Sequence, residues 1–98
     1  MALHTLNQPP GNIECLKRCL SALSDGDALL LIEDGVLASL PAHAAHYEQV
    51  NANIRFYALQ ADLDARGLND MKDNRFTVVD ESGFVDLACE HHKVVSWY

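Results

Sequence analysis

The run Ala28–Ile32, apolar without a break between Ser24-Asp25-Gly26 and Glu33-Asp34-Gly35, does most to limit what this chain can fold into. A strand that is continuously apolar rather than alternating is covered on both faces, as a central strand of a parallel sheet is. It is also the longest unbroken apolar run in the 98 residues, far below the roughly 18 that a membrane-spanning helix needs. No membrane segment is expected. A strand covered on both sides requires helices above and below it, and the remaining sequence supplies them.

Ile13, Leu16, Leu20 and Leu23 recur at helical spacing, with Asn12 placed to cap the start and Gly26 to end the excursion. A short strand over Ala2–Leu6 precedes this helix, separated from it by the loop Asn7–Gly11 with its paired prolines. After the central strand, Val36–Leu40 reads as a helical turn stopped by Pro41, and Ala42–Asn51 as a helix. Ile54–Leu59 is a third strand and Ala61–Arg66 a short helix ended by Gly67. Phe76–Val79 is a fourth strand, Ser82–His91 a helix and Val94–Trp97 a last strand. The alternation of strand and helix predicts an α/β fold, a small three-layer α/β/α sandwich with about five mainly parallel strands, formed by one domain over residues 1–98. At this size little area is left to bury both faces of a sheet, so assembly with partner subunits is expected.

Composition narrows the function. Hydrophobic residues make up 49% and charged residues 21%, which suits a folded domain with a real core rather than a disordered segment. Fourteen acidic against seven basic residues give a net charge of −7, and the basic residues are scattered, which argues against direct nucleic-acid binding. The opening Met1-Ala2-Leu3-His4 has neither a basic stretch nor a long apolar one, so the expected location is the cytoplasm. The five glycines fall into no dinucleotide or phosphate-loop spacing, and no nucleotide cofactor is expected.

The candidates for chemistry are few. Glu33 and Asp34 follow the central strand, but the first strand offers no phosphate-accepting carboxylate, so they are expected to form a solvated turn. Cys15, Cys19, Cys89, His91 and His92 lack the paired spacing of a zinc site, and His43 and His46 have no third ligand nearby, so no metal is expected. Three cysteines do not suggest a disulfide framework. On the first helix, Cys19 falls near the edge of the apolar face and Cys15 further toward solvent, neither deeply buried. Cys15 lies in the first turn, where the helix dipole favours a thiolate, with Arg18 one turn on. The apolar end Val94-Val95-Ser96-Trp97-Tyr98 fits equally an interface and a last strand packed on its own sheet.

Leu3-His4-Thr5, Leu29–Val36, Tyr57-Ala58-Leu59 with Asp62-Leu63 and Ala65-Arg66-Gly67-Leu68, Phe84-Val85-Asp86-Leu87 and Ser96-Trp97 stand in an order that resembles the DsrH/TusB family of sulfur-relay subunits. The resemblance covers nearly the whole chain. It implies a flavodoxin-like subunit that joins DsrE/TusD-like and DsrF/TusC-like proteins in a cytoplasmic heterohexamer and works with small sulfur-carrier proteins. Such a complex passes persulfide sulfur onward, either to 2-thiolation of tRNA wobble uridine or in the oxidation of stored sulfur. The principal persulfide cysteine is implied to lie on the DsrE/TusD-like partner, which makes this chain a non-principal subunit of a sulfurtransferase complex. By its distance from Leu3-His4-Thr5, Cys19 matches a first-helix cysteine of some DsrH-type members. That match makes Cys19 the candidate sulfur acceptor, its thiolate attacking the outer sulfur of a partner's persulfide. Two alternatives stand beside this reading. One is a free-standing small thiol or redox protein using Cys15 and Cys19, although their spacing is not Cys-x-x-Cys; the other is a purely structural interaction module.

Overall fold

The central apolar run forms β2 (Ala28–Leu31), the middle strand of a five-stranded sheet. The computed structural model describes residues 1–98. The other strands are β1 (Ala2–Leu6), β3 (Arg55–Leu59), β4 (Phe76–Val79) and β5 (Lys93–Trp97). Their order across the sheet is β4-β3-β2-β1-β5, and every neighbouring pair is parallel.

This order dictates the layers. Parallel crossovers are right-handed, so the three steps from β1 to β4, all in one direction, place their connections on one face. Those connections are α1 (Ile13–Ala22), two 3₁₀ segments (Glu33–Ser39 and Pro41–Tyr47) and α2 (Gln60–Ala65). The step from β4 back to β5 runs the other way and puts α3 (Glu81–Glu90) on the opposite face. The result is the expected three-layer α/β/α sandwich.

Side chains alternate across the pleat, and the two faces bury very different amounts. On the α1 face, Leu6, Leu29, Leu31, Phe56, Ala58 and Phe76 of the strands meet Leu16, Val36, Tyr47 and Leu63 in a cluster of 14 buried residues. On the α3 face the corresponding cluster has only 4, Leu3, Ala28, Leu30 and Leu87, so the core sits almost wholly under α1 and the 3₁₀ segments. Tyr47, Phe56 and Phe76 form an edge-to-face trio at its centre, with ring centroids 5.1–5.4 Å apart.

Most expected boundaries hold within a residue or two, and two local expectations are corrected. Asn12 does not cap α1 with its side chain, which donates to Gln8 instead. The helix expected over 42–51 is a 3₁₀ segment that ends at Tyr47. Tyr47 explains the difference: its ring is buried in the aromatic trio and its hydroxyl donates to the Ala38 carbonyl at 2.8 Å. This anchor ties the two 3₁₀ segments together and turns the chain inward before a longer helix can form. Gly35 is required where the first of them starts, because a Cβ there would collide with the Leu6 backbone carbonyl.

Candidate functional site

The thiols come first, since the sequence places the chemistry on them. All three cysteines are free; Cys89 on α3 is exposed, Cys15 is half-buried and Cys19 is fully buried, with 0% of its surface accessible. The expectation that Cys19 sits at the edge of the apolar face is therefore corrected. A helical wheel sees only α1, whereas in the fold Cys19 shares a buried cluster with Tyr47, and the chain through Val50 flanks the same helix beside Leu20 and Leu23. Burial, and secondarily the neighbouring Cys15, push the Cys19 thiol up to about 12, so it is a neutral thiol at physiological pH. The attacking species in sulfur transfer is the thiolate, and it must be reachable. Cys19 satisfies neither condition in this conformation and packs in the same buried cluster as Tyr47. Cys15 and Cys19 stay one helical turn apart with no bond between them.

A second constellation, built from His4, Asp27 and Trp97, carries far more order. Parallel pairing of β1 with β5 sets His4 opposite Val95 and Leu6 opposite Trp97, so His4 and Trp97 share the α1 face. Their rings stack at 6.2 Å between centroids and 16° between planes. The Trp97 indole Nε1–H donates to His4 Nδ1 at 3.0 Å. An indole nitrogen can only donate, so Nδ1 is the acceptor and the imidazole proton lies on Nε2, which donates to Asp27 Oδ2 at 3.0 Å. Asp27, just before β2, also accepts from the backbone N–H groups of Ala2 at 2.8 Å and Ser24 at 2.9 Å.

Burial alone would raise the Asp27 carboxyl, but the Ser24 and Ala2 amides and the His4 ring outweigh it and hold the group below the usual carboxylate range. The cluster thus joins β1, the loop ahead of β2 and β5 through one buried carboxylate. It lies at the wall of an open hollow of about 470 Å³ that Met1, His92 and Lys93 also line. Both His4 nitrogens are engaged and the residue is only 4% exposed, so it has no free lone pair for acid–base work. Its chemistry is that of a tie. Asp27 escaped notice in the sequence; the available signal was a histidine inside an otherwise apolar strand and an acid directly ahead of the central run.

The remaining candidates lie apart from both groups. Glu33 and Asp34 are exposed as expected, but they open the first 3₁₀ segment rather than a separate turn, with Glu33 at φ +50° and its N–H donating to Asp62 Oδ2 at 2.7 Å. Asp34 pairs with Arg66 at 2.9 Å. His43 and His46 stack on each other at 6.2 Å, and no group of three or more His, Cys, Asp or Glu side chains is arranged to hold a metal ion. Trp97 of β5 packs against the core on its own sheet, while Val94 of β5 and Tyr98 just beyond it are 46% and 83% exposed. No helix is long and apolar enough to cross a membrane.

Comparison with known proteins agrees with this architecture. The solved structures with the same fold include the ychN protein from E. coli, at a TM-score of 0.82 and 18% identity over 98% of this chain and 97% of that one. Another is the solution structure of protein Tm0979 from Thermotoga maritima, at 0.66 and 25% identity over 92% and 93%. Among curated proteins, Protein TusB of Serratia proteamaculans is 44% identical over 97% of this chain and 99% of its own length. Protein TusB of Escherichia coli K12 is 38% identical with the same coverage. A family model described as DsrH like protein matches residues 10–94. With that match across most of its length and relatives well above 30% identity, the chain belongs to the DsrH/TusB family.

Proposed function

We propose that the chain is a structural subunit of a cytoplasmic sulfur-relay complex that serves 2-thiolation of tRNA. Its partners are DsrE/TusD-like and DsrF/TusC-like subunits in a heterohexamer, and the persulfide is carried by a partner and by small sulfur-carrier proteins. Family membership supports the pathway, and the TusB name of the relatives favours tRNA thiolation over oxidation of stored sulfur. The observation that carries the structural role is the state of Cys19, the thiol that resembles a first-helix cysteine of some DsrH-type members: sealed in the core and held neutral. The exposed Val94 on edge strand β5 and Tyr98 just beyond it, together with the thinly covered α3 face, supply surface for partners. The net charge of −7 favours tRNA contacts made by other components.

The test is native mass spectrometry of the chain purified with its co-expressed neighbours, treated with a persulfide donor and digested. The expected result is a mixed hexamer with added sulfur on a partner and none on Cys19. Sulfur on Cys19 would make the chain a carrier and would require α1 to open away from the buried cluster. A bare monomer with a reactive Cys15 would replace the relay reading with the thiol-protein alternative.

A further inference from the structure

Of the seven basic residues, only Arg66 is ion-paired, to Asp34 and Asp62. Two of the others, Arg55 at the first position of β3 and Arg75 just ahead of β4, line one open hollow of about 420 Å³ at the N-terminal ends of these strands. Arg75 is held in place: its guanidinium carbon stands 5.8 Å from the Tyr47 ring centroid and its Nη1 donates to the Ala44 carbonyl at 3.0 Å. A guanidinium has five N–H donors, so this tie leaves most of them free. Tyr57 and Thr77, paired in register between β3 and β4, line the same hollow. Glu48 is the only acid on its wall. Asp25 and Glu90 border a separate hollow on the other side of Arg55, and Asp25 already accepts from Asn53 at 2.6 Å. In a protein of net charge −7, this is a local reversal of sign around a concave surface.

We propose that this hollow is an oxyanion-binding site, in which Arg55 and Arg75 donate to a phosphate or carboxylate group. A guanidinium anchored on a ring and a carbonyl loses little freedom on binding, and its remaining planar donors match an oxyanion. The inference rests on the hollow alone and stands independently of the sulfur-relay reading.

The test is a titration of the full chain with inorganic phosphate at low ionic strength, followed by ¹H–¹⁵N spectra of the backbone and of the arginine Nε–Hε groups. A second titration uses a short Asp- and Glu-rich peptide. Saturable shifts at Arg55, Tyr57, Arg75 and Thr77 are expected from at least one probe. Arg55→Gln and Arg75→Gln should each weaken binding by about tenfold or more, as loss of a charge-assisted bond does, while Arg66→Gln leaves it unchanged. Tighter phosphate binding would identify a small free oxyanion as the ligand, and tighter peptide binding an acidic segment of a partner. Absence of saturable shifts with both probes, or binding unchanged in Arg55→Gln, would overturn the proposal. Arg55 has no ion pair to lose, so its variant decides the matter even where Arg75→Gln weakens the fold.

Discussion

Replacing Asp27 with asparagine tests the buried tie most directly. Three donors converge on the carboxylate, from Ala2, Ser24 and His4. An amide offers one oxygen and one NH₂ group, so at least one donor must face another donor. Reversing the His4 tautomer brings no relief, because Nδ1–H would then confront the Trp97 Nε1–H. An unsatisfied buried donor costs about 1–3 kcal/mol, and the surviving bonds lose their charge assistance, about 1 kcal/mol more in total. A loss of about 3 kcal/mol is a large part of the roughly 5–15 kcal/mol that holds a domain folded. With a urea slope of roughly 1–2 kcal/mol/M, the midpoint should fall by about 2 M at neutral pH without a change in slope.

The pH dependence supplies an independent check. Asp27 is held below its unfolded value of about 3.9, so between the two values the unfolded chain binds more protons and stability rises with pH. The carboxylate's contribution is complete above the unfolded value and is lost as pH falls through the folded one. The gap between parent and Asp27→Asn should therefore be constant from pH 7 to about 5 and shrink as the pH falls below about 4. A midpoint that moves by less than about 0.3 M at neutral pH, or a gap indifferent to acid, would refute the assignment of Asp27 as an ionised tie.

Trp97→Phe keeps an aromatic ring against His4 but removes the indole donor, and equilibrium unfolding followed by far-UV dichroism should show a loss of about 1 kcal/mol. In native-state thiol labelling read by mass spectrometry, Cys89 should react first, Cys15 more slowly and Cys19 only on unfolding; labelling of Cys19 at the Cys89 rate would contradict its burial. Gly35→Ala should destabilise by about 3 kcal/mol through its collision with the Leu6 carbonyl, whereas Gly11→Ala, with nothing near its added methyl, should stay within about 0.5 kcal/mol in the same denaturation assay.

The fold was legible because its signals are local. Ala28–Ile32 announces a central strand by its lack of alternation, and the helical spacing from Ile13 to Leu20 announces α1. What escaped depends on distance. Cys19 looks peripheral on a wheel and is buried in a cluster with Tyr47, more than twenty residues away. The 3₁₀ path to Tyr47 follows from the aromatic trio, whose members lie on three separate elements. The His4–Asp27–Trp97 tie needs the strand order, since only β5 lying beside β1 brings residue 97 to residue 4. Each of these follows from a pairing between elements that no window along the chain contains.

The placement of β5 also sets an order for folding. Strands β1 to β4 are sequential neighbours in the sheet, whereas β1 keeps one flank open, with the indole partner of His4 still missing, until β5 arrives. That pairing joins Ala2 to Lys93 and so closes a far longer loop than any other step in the sheet. Completion of the sheet thus waits on its most distant contact, the kind that slows folding. Until it forms, the first strand presents an unpaired edge along its length.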